Sequence, residues 1–271
     1  MKHFTVTLPK PEQQAINEDA SYSSENLIAV SDGAGGGGVY AEKWSSYLVG
    51  HLPNEPFEIF EQLDLWIDSI WEKFYNDCEE LAKMQGGLLL DKFYDEGSFA
   101  TLVSVWKVSD STCKWISYGD SVAFHYNTVT QKLEHSFSAL ANFDKPPYLI
   151  NCKDPLNCKG FHSGTFHIDE NSIVFCASDA LSFYIILLYE LARCGDFYND
   201  LQMLEKANSK NSEHLKSALY QKVKFKESLI KLLNCRTKIN FERHLTRLLN
   251  QNLISLDDYS IAVLPYNIIR K

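Results

Sequence analysis

The chain has 271 residues, 45% of them hydrophobic and 13% aromatic, with a formal net charge of -9 at pH 7. That is enough apolar chain to bury one large core or two small ones, and no stretch approaches the ~18 uninterrupted apolar residues of a membrane helix. The acidic balance disfavours non-specific binding to nucleic acid, whose phosphates demand a basic surface. The seven cysteines (Cys78, Cys113, Cys152, Cys158, Cys176, Cys194 and Cys235) are scattered, odd in number and hold no Cys-x-x-Cys pair. The N-terminus, Met1-Lys2-His3-Phe4-Thr5, has no apolar core of a signal peptide. Together these features predict reduced thiols in a cytoplasmic protein. His162 and His167 flank a Ser163-Gly164 turn and do not read as a zinc site.

In chain order, residues 3–8 alternate as a strand and 26–31 form a short apolar one. Residues 39–51 read as a helix, with Trp44, Tyr47, Leu48 and His51 at helical spacing. Asn54 and Pro56 signal the start of a longer helix running to about residue 84. Its buried stripe is expected to be Phe60, Leu63, Ile67, Ile70, Phe74 and Leu81. Thr101–Val108, Cys113–Tyr118 and Val122–Tyr126 follow as strands separated by turn residues. Residues 137–162, with Pro146-Pro147 and Pro155, read as a long surface loop, a kind of segment that is often functional. Strands return at about 164–168 and 172–177. The pattern from Leu181 to about Asn252 is helical, with breaks near Gly195-Asp196 and Asn208–Ser212. A last strand spans 259–264. Strands at both ends and in the middle, with helices in two blocks, make this an α+β chain rather than an alternating βαβ wind.

Acids recur at strand borders. Asp32-Gly33-Ala34-Gly35-Gly36 follows the apolar run Leu27-Ile28-Ala29-Val30, which sets a carboxylate beside a bare backbone carbonyl. Asn17-Glu18-Asp19 comes earlier, Ser178-Asp179-Ala180 follows Ile173-Val174-Phe175-Cys176, and Asp257-Asp258 precedes the last strand. Such a set suits a hard divalent cation with oxygen ligands. Taken singly, Asp and Gly at strand ends are ordinary turn residues; the joint pattern is what favours a metal.

Six short motifs in order strengthen the reading: Asn17-Glu18-Asp19-Ala20, Val30-Ser31-Asp32-Gly33-Ala34-Gly35-Gly36, Gly97-Ser98-Phe99-Ala100-Thr101, Gly119-Asp120-Ser121, Ala177-Ser178-Asp179-Ala180 and Asp257-Asp258-Tyr259-Ser260. From about residue 14 to 264 the chain resembles the bacterial-type members of the metal-dependent serine/threonine protein phosphatases of type 2C. The resemblance implies a single catalytic domain over 1–271, with a helical segment at about 181–252. Its fold would be a four-layer α-β-β-α sandwich, two antiparallel sheets flanked by helices. It implies hydrolysis of phosphoserine or phosphothreonine on a protein substrate by a hydroxide bridging two Mg²⁺ or Mn²⁺ ions. Asp32 would bridge the ions and the Gly33 carbonyl would bind the second. Asp179 and Asp257 would complete the first site, and Glu18 and Asp19 would hold the second ion directly or through water. Asp120, with Asp179, would hold a weaker third ion. Asp32, Asp19 and Glu18 would thus carry the catalysis in a monomer that needs neither nucleic acid nor membrane.

The chain departs from the family pattern in three places. Gln14 stands where many members carry a phosphate-gripping arginine, and a neutral amide cannot form a guanidinium fork. Lys10 and Lys43 are the cations that could substitute. Val122 follows Gly119-Asp120-Ser121 where arginine is common, and Ala34 occupies the place of a histidine found in some members. Gln14 and Val122 motivate an alternative, a weakened phosphatase-like binding or regulatory module. A second alternative comes from Gly33-Ala34-Gly35-Gly36-Gly37-Gly38, which satisfies the dinucleotide-binding Gly-x-Gly-x-x-Gly pattern. Asp32 and the helix that follows argue against it, because the acid would repel a pyrophosphate and no second βαβ strand comes next.

Overall fold

The computed structural model describes residues 2–11, 16–36 and 38–266. Its strands are β1 (Phe4–Leu8), β2 (Ala20–Ser23), β3 (Leu27–Ser31), β4 (Phe99–Ala100), β5 (Leu102–Ser109), β6 (Thr112–Tyr118), β7 (Val122–Asn127), β8 (Leu133–His135), β9 (Ile150–Asn151), β10 (Phe161–His167), β11 (Ser172–Ala177) and β12 (Tyr259–Val263). The helices are α1 (Ala41–Gly50), α2 (Phe60–Gln85), α3 (Leu88–Glu96), α4 (Asp179–Ala192), α5 (Tyr198–Ala207), α6 (Lys210–Gln221), α7 (Phe225–Leu233) and α8 (Lys238–Asn250). One antiparallel sheet runs β1-β12-β11-β7-β8, a second runs β10-β6-β5-β3-β2, and β4 pairs with β9.

The period-2 alternation of the central strands divides the apolar residues among three cores. In β3, Ile28 and Val30 point between the sheets while Leu27 and Ala29 point outward. In β5, Val103 and Val105 point inward, Leu102 and Trp106 outward. Val174 and Cys176 of β11 and Ala262 of β12 meet them from the other sheet. Outward from β11 and β12, Ile173, Phe175, Ile261 and Val263 pack beneath α4–α8. The outer face of β3 and β5 packs beneath α1–α3. Both sheets are therefore covered on both faces, which is the α-β-β-α sandwich expected. It also explains why these strands read as continuous apolar runs: both faces are buried. Each large side chain taken fully out of water contributes about 1.5–3 kcal/mol, and Trp44, Trp106, Phe124 and Phe175 are among the fully buried ones.

Several boundaries differ from the sequence reading. The long helix begins at Phe60, not near Asn54, because Gln62 reaches back to the Glu58 N–H at 2.6 Å and defines the first turn there. Its buried stripe is Leu63, Ile67, Phe74, Cys78 and Ala82, whereas Phe60, Ile70 and Leu81 are only half-buried. His51 lies exposed just past α1. Residues 137–162 are not one irregular loop, since they hold β9 and two short 3-10 turns, Leu140–Asp144 and Cys158–Gly160. The short helix α3 and the strands β2, β4 and β8 were not expected. The helical segment breaks near 195 and 208 as expected, and again at Lys222 and near 234–237. Asn208 and Lys222 end their helices in the left-handed conformation, with φ of 51° and 52°. His162 and His167 are both exposed on β10.

Gly33 shows how closely the segments must approach at one end of the sandwich. Its N–H donates to the Glu18 carbonyl at 3.1 Å. A Cβ added there would lie 2.6 Å from that carbonyl oxygen and 2.7 Å from the Ala41 oxygen, both backbone. Gly33→Ala must therefore push apart β3, α1 and the Glu18 segment. Overpacking of this kind costs about 1–3 kcal/mol, and each kcal/mol lowers Tm by roughly 2–4 °C in a chain of this size. Differential scanning calorimetry would check it; an unchanged Tm would mean the approach is loose.

Candidate metal centre

The acids at the strand borders converge. Asp32 follows β3, Asp120 lies in the turn between β6 and β7, Asp179 opens α4, Asp257 precedes β12, and Glu18 and Asp19 precede β2. Burial pushes the Asp32 carboxyl well above the ordinary carboxylate range, and Asp19, Asp179, Asp120 and Asp257 push it further. Asp179 is raised in the same way, by burial and then by Asp120, Asp257 and Asp19. Burial lifts Asp120 to about 6 against the pull of its own backbone N–H, with Asp257 adding to the rise. Asp257 and Glu18 are raised by burial too. Apart from Asp19, these side chains are half-buried, so they line a recess that water reaches. Crowded like charges in such a recess oppose ionisation unless a cation joins them.

Asp19 is the most telling member. It is 5% exposed, and burial pushes it up to about 7, opposed by the nearby Ser260 and Ser178 hydroxyls. Both hydroxyls are also engaged elsewhere: Ser260 Oγ donates to Thr7 Oγ1 at 2.8 Å, and Ser178 Oγ accepts from the Ser260 N–H at 3.0 Å. Both carboxylate oxygens of Asp19 are buried without a hydrogen-bond partner. An unpaired buried carboxylate is costly, and a hard cation is a partner that would fit it. The all-oxygen donor set fits Mg²⁺ or Mn²⁺. Among the described residues, however, no three acids are already drawn round one point at coordination distance.

A scaffold of backbone hydrogen bonds holds the acids in place. Thr101 Oγ1 accepts from the Asp32 N–H at 3.1 Å, and the Thr101 N–H donates to the Asp32 carbonyl at 2.8 Å. Thr101 Oγ1 also meets Ser121 Oγ at 2.8 Å, next to Asp120. The Glu18 carbonyl accepts from Ser45 Oγ at 2.6 Å as well as from Gly33. Asn17 Oδ1 accepts from the Asp19 N–H at 3.2 Å. Gly119, at φ 103°, makes the turn that presents Asp120, and its missing Cβ leaves room for the Thr101 methyl. Asp179 Oδ1 accepts from the Ala180 N–H at 2.5 Å, an ordinary use of an acid in the first turn of a helix.

The sequence reading did not give Asp258 a role. It is buried, and its two oxygens accept from the Lys10 N–H at 2.7 Å and the Glu18 N–H at 2.6 Å. It is thus a clamp on the Asn17-Glu18-Asp19 segment. The tandem Asp257-Asp258 was the available signal, but adjacent residues entering a strand face opposite ways, and only packing decides which one lines the recess. Lys10 consequently stands near enough to lower both Glu18 and Asp257, as Lys210 of α6 does for Asp257. Lys43 is exposed on α1, on the side of Cys78. Gln14 lies outside the described residues. Val122 is fully buried at the start of β7, and the Ala34 N–H donates to the Phe99 carbonyl at 2.9 Å.

The glycine-rich turn does not form a dinucleotide site. The Gly35 N–H bonds the Glu18 carboxylate, and β3 has antiparallel neighbours, β2 and β5, on both sides. The glycines let the turn close over an acid, not over a phosphate.

No family model and no curated protein matches the chain. Solved structures do. Serine/threonine phosphatase Stp1 from Staphylococcus aureus is similar at 16% identity and a TM-score of 0.55, over 99% of this chain and 98% of that one. A bacterial serine phosphatase matches at 16% identity and a TM-score of 0.54, over 99% and 100%. The catalytic domain of the serine/threonine protein phosphatase PstP, solved with two manganese ions, matches at 12% identity and a TM-score of 0.53, over 97% and 96%. With two antiparallel sheets between two helical layers and near end-to-end coverage of such domains, the chain has the fold of the type 2C serine/threonine phosphatases.

Proposed function

We propose that the chain is a single-domain, metal-dependent phosphomonoester hydrolase of the type 2C family that acts on phosphoserine or phosphothreonine in proteins. The observation that carries this reading is the Asp19 carboxylate, buried with both oxygens unpaired beside five other raised acids. Asp32, Asp19, Asp179 and Asp257 would hold two divalent ions, with Glu18 and the Gly33 carbonyl completing the set. When bound, such ions supply an activated water and neutralise phosphate charge. The residues of the chain do the positioning: Thr101 fixes Asp32 by its backbone, and Asp258 and Ser45 fix the Glu18 segment. Lys10 and Lys210 would bring positive charge to the rim near Asp257, where an incoming phosphate needs it. That placement offers a phosphate grip without an arginine at position 14.

Turnover of p-nitrophenyl phosphate by the purified chain tests the reading. Activity is expected with Mn²⁺ or Mg²⁺ and is expected to vanish with excess EDTA. A chain that binds Mn²⁺ tightly but never turns over would instead be the phosphatase-like binding module. Asp120 gives a second test, as the proposed ligand of a weaker third ion with Asp179. Asp120→Ala is expected to keep two bound ions by metal titration, and a Tm within a few degrees of the parent. Its turnover should fall roughly 10–100-fold, the range seen when a supporting group at a metal site is removed. A variant that unfolds, or that turns over normally, would reduce Asp120 to a turn residue.

A further inference from the structure

The helical layer holds a second site of opposite character. α4, α6, α7 and α8 border an open surface cleft of about 550 Å³ that shares no lining residue with the acidic recess. Lys222, Lys224, Lys231, His244 and Arg247 line it, against one acid, Glu227, which Lys224 already pairs at 3.2 Å. Among the described residues Lys222, Lys231 and Arg247 form no ion pair. In a chain of net charge -9, these exposed cations give one cleft a local positive field that favours an anion.

Two further features point the same way. His244 Nε2 is buried with no hydrogen-bond partner. Burial, with Lys231 and Arg247 beside it, holds the imidazole below its ordinary pKa. Lys222 sits at φ 52° at the end of α6, a left-handed position where glycine or asparagine is less strained. The cleft volume lies within the range of small-ligand sites. Its apolar side is Tyr184 and Leu248, both buried.

We propose that this cleft binds a small organic phosphate carrying two or more negative charges. Arg247 and Lys231 would take the phosphoryl oxygens, the guanidinium as a fork and the ammonium as a point charge. His244 Nε2 would gain its missing partner, and the organic body would rest on Tyr184 and Leu248. The inference does not depend on the function of the acidic recess.

ADP is the test ligand, titrated calorimetrically into the full chain with excess EDTA, so that no metal can bridge it to the acids. Saturable one-to-one binding is expected at micromolar to millimolar concentration. The double variant Lys231→Gln/Arg247→Gln is expected to weaken it at least about tenfold, while Lys231→Arg retains it. If the double variant fails to fold, Lys222→Gln and the ¹⁵N imidazole shifts of His244 in the parent chain answer the same question. A shift of the His244 resonances that saturates with the calorimetric binding curve supports the site. Inorganic phosphate, titrated in parallel, should bind more weakly than ADP, and equal affinity would refute the contact with the organic body. Absence of ADP binding at about 10 mM would overturn the proposal, as would ADP binding that these variants leave unchanged.

Discussion

Asp32→Ala is expected to abolish phosphate-ester turnover and, at the same time, to make the metal-free protein no less stable. Both halves follow from where Asp32 sits. It is the acid that four others push upward, so it has most to give as a shared ligand and most to cost when no cation is present. Removing a group that merely supports a metal ligand typically costs 10–100-fold; loss of a shared ligand should exceed that. Deleting one of several crowded carboxylates relieves repulsion, so the Tm in EDTA should hold or rise. The rise in Tm that Mn²⁺ gives the parent protein should be lost. Steady-state kinetics and calorimetry on the same preparation check both halves. Parent-level turnover would sink the two-ion reading, whereas a folded variant with no turnover and no metal-induced shift would bear it out.

The metal-free protein is expected to lose stability as pH rises from about 5 to 8, and Mn²⁺ is expected to remove that loss. Asp19 is raised from 3.8 to about 7 and Asp120 from 3.8 to about 6, in both cases chiefly by burial. A folded-state pKa above the unfolded one means the folded chain holds the proton more tightly. The associated stability is complete below about pH 4 and drains away as pH rises through 6 to 7. At about 1.4 kcal/mol per tenfold change in proton affinity, the loss is roughly 2–4 kcal/mol. That corresponds to roughly 5–15 °C in Tm for a chain of this length. Bound divalent ions stabilise the ionised acids instead and add their own binding free energy to the folded state. Thermal melts at pH 5, 6.5 and 8, with EDTA and with Mn²⁺, decide it. A metal-free Tm that climbs with pH would show that the acids are already paired by something else.

Much of this was legible before any coordinates. Ser172–Ala177 and Tyr259–Val263 are buried on both faces, so nearly every residue in them is apolar and the strands announce themselves. The strand β2, Ala-Ser-Tyr-Ser at a sheet edge, buries only Ala20 and has no such signature. The helix α3 buries only Phe93 and lies between Gly87 and Gly97. In α4 the residues from Ala180 to Glu190 are all buried, so a helix was evident but no single face was. Apart from Glu18 and Asp19, which precede β2, the acids of the recess are visible as a set because each follows or precedes a strand that can be read. Gln14, the departure that most concerned the phosphate grip, lies outside the described residues.

The sequence by itself determined the order of the buried strands and the longer helices, because hydrophobic periodicity is a local property and each of those runs carries its own. It also determined which acids stand at strand borders, and hence that hard-metal chemistry was available. Only the tertiary structure decided what each acid does. Asp257 turns toward the recess while its neighbour Asp258 turns away to clamp Lys10 and Glu18. Asp19 keeps both oxygens unpaired, and Gly33 passes within hydrogen-bonding distance of Glu18. The basic cleft is likewise assembled from residues spread over four helices. These outcomes depend on desolvation and on charges brought together from distant parts of the chain, and no local pattern encodes them.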